Sequence, residues 1–111
     1  MINDTELIAK TPVPPYYAVI FTSVRTDGDN GYKSMSDKMT ELVKNQPGFL
    51  GFESAREETG ITVSYWSDLE SIKLWREHFD HTIARSKGRE LWYKNFTVRI
   101  CKVEREYSFE K

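Results

Sequence analysis

The stretch Gly48–Trp75, GFLGFESAREETGITVSYWSDLESIKLW, decides the fold. Phe49 to Arg56 and Ile61 to Trp66 are two short β-type runs joined by Glu57-Glu58-Thr59-Gly60, which has the length and composition of a hairpin loop. The second run alternates, with Ile61, Val63 and Tyr65 on one face and Thr62, Ser64 and Trp66 on the other. In the first run, strict alternation places Phe49 and Phe52 on opposite faces, so both sides of this sheet are expected to carry aromatics. Ser67-Asp68-Leu69-Glu70 then matches a capping box, in which the Ser67 side chain accepts from the N3 amide and Glu70 reaches back. The helix that starts there carries the stripe Leu69, Ile72, Trp75, Phe79 and Ile83, and it is expected to run to Ser86 or Lys87 before Gly88 ends it.

Working outward, Tyr16 to Val24 (YYAVIFTSV) is β-branched and aromatic nearly throughout and reads as a buried first strand. Before it, Thr11-Pro12-Val13-Pro14-Pro15 closes a stiff, extended segment, so residues 1–15 read as a lead-in arm and 16–111 as one domain. Arg25 to Gly31 is a turn cluster that offers Asp29 or Asn30 as a helix N-cap. Tyr32, Met35, Met39, Leu42 and Val43 then recur at helical spacing until Gln46-Pro47-Gly48 stops the helix. At the far end, Arg89 to Asn95 is a connection, and Phe96, Val98 and Ile100 alternate in a last strand. The switch of parity to Val103 predicts a bulge near Cys101 and Lys102. The order strand, helix, strand, strand, helix, strand is the α+β, ferredoxin-like βαββαβ plait, two helices covering one face of a four-stranded antiparallel sheet. The uncovered face is expected to hold large groups, Phe52 or Phe49 with Trp66 or Tyr65, and Trp66 is assigned to it. Such an apolar layer calls for a second copy, hence a homodimer with sheets packed face to face as a dimeric α/β barrel.

Composition removes several alternatives. The chain has 111 residues, enough for one domain and not two, and 16 Lys+Arg against 17 Asp+Glu are interspersed without a basic stripe, so nucleic-acid binding is not expected. The longest strongly apolar run, Tyr16 to Phe21, is far short of the ~20 residues that a membrane span needs, and MINDTELIAK has no apolar signal core. With one cysteine there is no internal disulfide, and the expected setting is the cytoplasm. The 14% aromatic content exceeds what a small core uses, which points to a pocket or a partner surface.

Three segments in this order carry a resemblance: QPGFLG (Gln46 to Gly51) entering the second strand, SYWSDLESIKLW (Ser64 to Trp75), and the HFDH and GRELWY stretches after it. Over roughly Tyr16 to Tyr107 the chain resembles the antibiotic biosynthesis monooxygenase superfamily of dimeric α+β-barrel proteins, which includes heme-degrading monooxygenases. The resemblance implies a cavity between helices and sheet. It also implies oxygenation there of a quinol-like aromatic without metal or flavin, or with heme as both substrate and cofactor. The heme-degrading branch has an Asn on the first strand, a Trp on the second helix and a His further along that helix. Trp75 matches this Trp; Thr22 and Ser23 stand on the first strand without an Asn, and Arg85 stands ten residues beyond Trp75.

These considerations nominate His78, His81 and Trp75 as catalytic, and Thr22, Trp75, Arg89 and Tyr93 as substrate-binding. At about 100° per residue, His78 flanks the Trp75 stripe and His81 lies near the opposite side of the helix. A paired-His metal site is not expected, since no nearby carboxylate completes a set. A single imidazole is a candidate proton acceptor or iron ligand. Trp75 would orient a flat ring, and Arg89, with Trp92 and Tyr93, would rim the cavity mouth and hold charge. Cys101 reads as a small filler. The expected function is oxygenation of a flat aromatic in a desolvating pocket, with no dedicated cofactor and heme as the alternative. The rival is a non-catalytic dimeric module that binds a small ligand or heme.

Overall fold

β1, Tyr16–Arg25, is the spine of the sheet, and its alternation sorts the molecule into two sides. Tyr17, Val19 and Phe21 face the helices, while Tyr16 and Ala18, both nearly inaccessible, face away. The computed structural model describes residues 7–85 and 88–111, with side chains at 7–81 and 90–111. β1 is followed by α1 (Tyr32–Val43), β2 (Phe49–Arg56), β3 (Gly60–Trp66), α2 (Leu69–Arg85), the short α3 (Gly88–Trp92) and β4 (Tyr93–Val103). All pairings are antiparallel and the strand order is β2-β3-β1-β4. This is the ferredoxin-like α+β plait that the element order predicts.

Two apolar clusters tie the helices to one sheet face. Val43 of α1 and Ile72 of α2 close over Trp66, joined by Tyr17, Val19, Phe49 and Trp75. Nearer the start of α1, Trp92 and Tyr93 pack with Phe21, Tyr32, Met35, Phe79 and Phe96. The N-cap of α1 is Gly31 and not Asp29 or Asn30; Asp29, two residues earlier, accepts from the Gly31 and Lys33 amides at 3.0 and 3.1 Å.

The structure corrects several local expectations. The β2–β3 register shifts between Phe49 and Gly51, and Gly51 takes φ 151°, a region open to glycine. The inserted residue turns Phe49 and Phe52 to the same side, toward the helices. Trp66 is fully buried on that side too, so only Tyr65 of the four large groups lies on the opposite face. In α2 the cap is Asp68, whose Oδ1 accepts from the Ser71 amide at 2.7 Å; Ser67 instead donates to the Asp68 carboxylate. The helix starts at Leu69, so Asp68 stands at the N-cap position, from which its carboxylate reaches the free Ser71 amide. β4 pairs with β1 without interruption from Val24↔Asn95 to Tyr16↔Val103, so the irregularity falls at Val24/Arg25 and not near Cys101 and Lys102. Val103 simply belongs to the outer face. The connection after α2 contains α3, and β4 starts at Tyr93, three residues before Phe96. Ser86 and Lys87, the expected end of α2, lie outside the described residues.

On the outer face, Tyr65 donates to Glu53 Oε1 at 2.6 Å and Tyr16 to Glu106 Oε1 at 2.7 Å, with the two rings edge to face at 5.9 Å. The segment before β1 is held to the same carboxylates: the Ala9 amide donates to Glu53 Oε2 and Thr11 Oγ1 to Glu106. Burial and the Glu53 carboxylate push the Tyr65 phenol well above its usual range. Ile61, nearly half exposed, and the half-buried Ile20, Thr22 and Val63 make up the apolar part of this face. No helix among the described residues is long and apolar enough to cross a membrane.

Candidate functional site

Between the helices and the inner sheet face lies a cavity of about 360 Å³, within the range of small-molecule sites. Strand alternation supplies its floor: Val19 and Phe21 of β1, Phe52 and Ser54 of β2, Thr62 and Ser64 of β3, and Phe96, Val98 and Ile100 of β4. The cross-strand rows Phe52↔Ser64↔Val19↔Ile100 and Ser54↔Thr62↔Phe21↔Val98 run straight across it. The roof comes from α1, with Met35 and Met39, and from α2, with Ile72, Trp75 and Phe79. Phe49 reaches the floor only because of the bulge at Gly51.

The wall is mainly hydrocarbon with a few hydroxyls. Thr40 returns its proton to the Ser36 carbonyl at 2.9 Å, whereas Ser64 accepts from the Trp66 indole at 2.9 Å. Among the described residues, the ionisable side chains on the wall are Tyr32, Tyr93, Arg76 and Asp80. Arg76 and Asp80 are one helical turn apart on α2 and pair at 3.6 Å with solvent access to both, marking a rim. Tyr93 is buried against Tyr32; burial first, then the neighbouring phenol, push its hydroxyl far above the usual value, against the pull of Arg56 and Arg25.

Of the expected site residues, Trp75 and Tyr93 lie on the cavity wall. Trp75 stands between Trp66, at 6.3 Å, and the His78 ring, at 5.5 Å, both tilted by 30°. Thr22 does not reach the site: it alternates with Phe21 and therefore faces the outer side, opposite Ile61 and Thr97. His78 and His81 are both exposed and neither lines the cavity, because α2 turns its Ile72, Trp75, Arg76 and Phe79 side inward. The Arg89 side chain lies outside the described residues. Trp92, expected at the mouth, is a core residue whose indole donates to the Asn30 carbonyl at 2.8 Å. Cys101 is exposed on the outer face and is not a core filler. Sequence reasoning missed the rim pair Arg76 and Asp80, although their i,i+4 spacing on the Trp75 helix was a usable signal.

Comparison with known proteins agrees with this architecture. The family model described as antibiotic biosynthesis monooxygenase matches residues 15–85. The uncharacterized protein YqjZ of Bacillus subtilis (strain 168) is 48% identical over 108 residues, covering 96% of this chain and 95% of that protein. Among solved structures, SnoaB, a cofactor-independent oxygenase from Streptomyces nogalater, superposes with a TM-score of 0.61 at 13% identity, over 88% of this chain and 100% of that one. A dimeric ferredoxin-like protein from an uncultured marine organism superposes with a TM-score of 0.61 at 15% identity, over 85% and 100% of the two chains.

Proposed function

The chain belongs to the antibiotic biosynthesis monooxygenase family, and from that premise we propose that it oxygenates a flat, electron-rich aromatic of the quinol class in the cavity. The observation that carries this reading is the cavity itself, an apolar slot walled by Phe21, Phe52, Trp75 and Phe79. Such a wall strips water from a planar ring and holds it against the indole. Once deprotonated, an electron-rich ring carbon gives its electrons directly to dioxygen. In a substrate with an anthrone-type keto tautomer, one oxygen atom stays on that carbon, the ring CH2 becoming a C=O, and the other leaves as water with the two hydrogens, so no external reductant is consumed.

Asp80 supplies the proton acceptor in this scheme, since it is the carboxylate on the wall among the described residues and the two imidazoles point elsewhere. Trp75 orients the ring and Ser64 offers a hydroxyl proton to a substrate oxygen. Heme suits the site less well, since the imidazole donors expected to hold its iron, His78 and His81, are not on the wall. The active species is a homodimer formed through the outer sheet faces. The partly exposed Ile61, Ile20 and Val63 support this, as does the likeness to a dimeric ferredoxin-like protein. A free, exposed Cys101 suits a reducing compartment such as the cytoplasm.

The test is oxygen uptake by the purified protein with a tricyclic anthrone, compared with its rate of autoxidation. Wild type should consume oxygen stoichiometrically with quinone formed, Trp75→Ala should lose about tenfold or more, and Asp80→Asn about a hundredfold in kcat. Undiminished activity in Trp75→Ala removes the indole from the mechanism. Saturable binding without any catalysed uptake instead favours the non-catalytic binding module. A hemin titration followed by absorbance should show no saturable shift.

A further inference from the structure

The row at the end of the cavity floor, to which Phe96 still contributes, has a composition that the rows before it do not. Along β2, β3, β1 and β4 it reads Arg56↔Gly60↔Ser23↔Phe96. It lies one pleat period, about 6.8 Å, past the cavity row Ser54↔Thr62↔Phe21↔Val98 and on the same face. The Arg56 guanidinium fills the space over Gly60: a Cβ at that position would overlap Arg56 Cζ and Nη2 and displace them. The Arg56 guanidinium therefore lies across β3, where a side chain would normally stand, and reaches the next strand. Its Nη2 donates to the Ser23 hydroxyl and its Nη1 to the Ser23 carbonyl at 3.4 Å. Ser23 itself is 1% exposed.

Two of the five guanidinium N–H groups are accounted for by Ser23, and among the described residues no carboxylate pairs with Arg56, neither Glu57 nor Glu58 beside it included. A second guanidinium stands nearby. Arg25 lies 3.6 Å over the Tyr32 ring and donates to the carbonyls of Trp92, Gly28 and Asp29, again with no carboxylate partner among the described residues. Tyr32 and Tyr93, on the cavity wall, join this corner to the cavity. The apolar slot thus ends one row short of Arg56, which does not itself line it, and neither Arg56 nor Arg25 has a carboxylate partner among the described residues.

We propose that this end is an anion subsite, with Arg56 as the residue that holds a carboxylate or phenolate of the ligand, so that the ligand is a planar aromatic acid and not a neutral ring. The proposal rests on the cavity reading above and adds the charge of the ligand to it. A guanidinium fork pairs with a carboxylate through two parallel N–H donors, and a planar aromatic acid that lies in the slot and projects past the Ser54–Thr62 row carries its charge toward Arg56.

The test is quenching of tryptophan fluorescence by naphthoate and by its neutral analogue naphthalenemethanol, in wild type, Arg56→Gln and Gly60→Ala. Wild type should bind naphthoate about tenfold or more tightly than the alcohol. In Arg56→Gln the two affinities should converge, with alcohol binding kept; this also reports that the variant is folded. Gly60→Ala, which retains the charge but displaces it, should lose the preference as well. Equal affinities in wild type, or a preference that survives Arg56→Gln, overturn the anion subsite while leaving the aromatic cavity standing. Failure of wild type to bind either probe overturns the cavity reading and the subsite with it.

Discussion

Phe49 and Phe52 are three residues apart in one strand, yet their rings meet on the same face of the sheet, 6.3 Å between centroids. Regular alternation forbids this, and the register shift at Gly51 permits it. Pairing from Arg56 to Phe52 is regular, so without the shift Phe49 would move to the outer face and the cavity would lose part of its floor. Gly51 holds φ 151°, and an added Cβ would come within 3.1 Å of the Ala9 Cβ. Gly51→Val should therefore destabilise the fold by about 2 kcal/mol, read as a shift of the urea midpoint.

Trp66 is the most completely buried large side chain, at 0% exposure, and it sits under both helices with Val43 and Ile72. Trp66→Ala should cost about 4 kcal/mol from the cavity it leaves. Trp66→Phe should cost much less. Because it also removes the indole N–H that Ser64 accepts, it should change ligand affinity more than stability, which a paired melt and fluorescence titration would separate.

The phenols of Tyr93 and Tyr65 are both pushed above their ordinary value of 10.0, chiefly by burial. A folded-state pKa above the unfolded one means that the folded chain keeps these protons longer. The stabilisation is therefore complete below about pH 10 and is lost progressively as pH rises beyond it. Denaturant midpoints should hold across neutral pH and fall in alkali, and Tyr93→Phe should make that fall shallower. An equal alkaline slope in the variant would remove Tyr93 as its source.

Asp68 caps α2, and the Ser71 amide, with help from the Ser67 hydroxyl, holds its carboxyl below the usual 3.8. Here the sign is reversed: the contribution is present above about pH 4 and disappears as pH falls through the folded value. Asp68→Ala should lower the melting temperature at pH 7, and the difference from wild type should narrow in acid.

What was legible in the sequence was whatever depends on repeated pattern. β1, the Gly48–Trp75 hairpin and helix, and the Trp75 stripe each draw on several residues that agree, so element order and fold followed. What failed hung on single residues. The side on which Phe49 lies relative to Phe52 depends on one bulge whose only trace is Gly51. The choice between Ser67 and Asp68 as cap depends on one residue of phase. Thr22 was selected by residue type, and parity with Phe21 sends it to the other face. His78 and His81 were selected as chemistry although helical phase already turned His81 away from the Trp75 stripe and left His78 on its flank; α2 presents Arg76 and Phe79 to the cavity in their place. Arg56 was visible only as a hairpin charge; its meaning depends on Gly60, across the ladder.

Phe21 touches Phe79, Tyr93 and Phe96 at centroid distances of 5.9, 5.7 and 5.2 Å, and Tyr93 in turn meets Tyr32 and Phe96. These rings from β1, α1, α2 and β4 form one connected surface, so none of them adjusts alone. Substitutions within the set should be strongly epistatic, a change at Phe21 being tolerated or rejected according to what stands at 79, 93 and 96. In evolutionary terms, ligand preference in this chain would shift by coordinated replacement of several rings, with each intermediate passing through a poorly packed state.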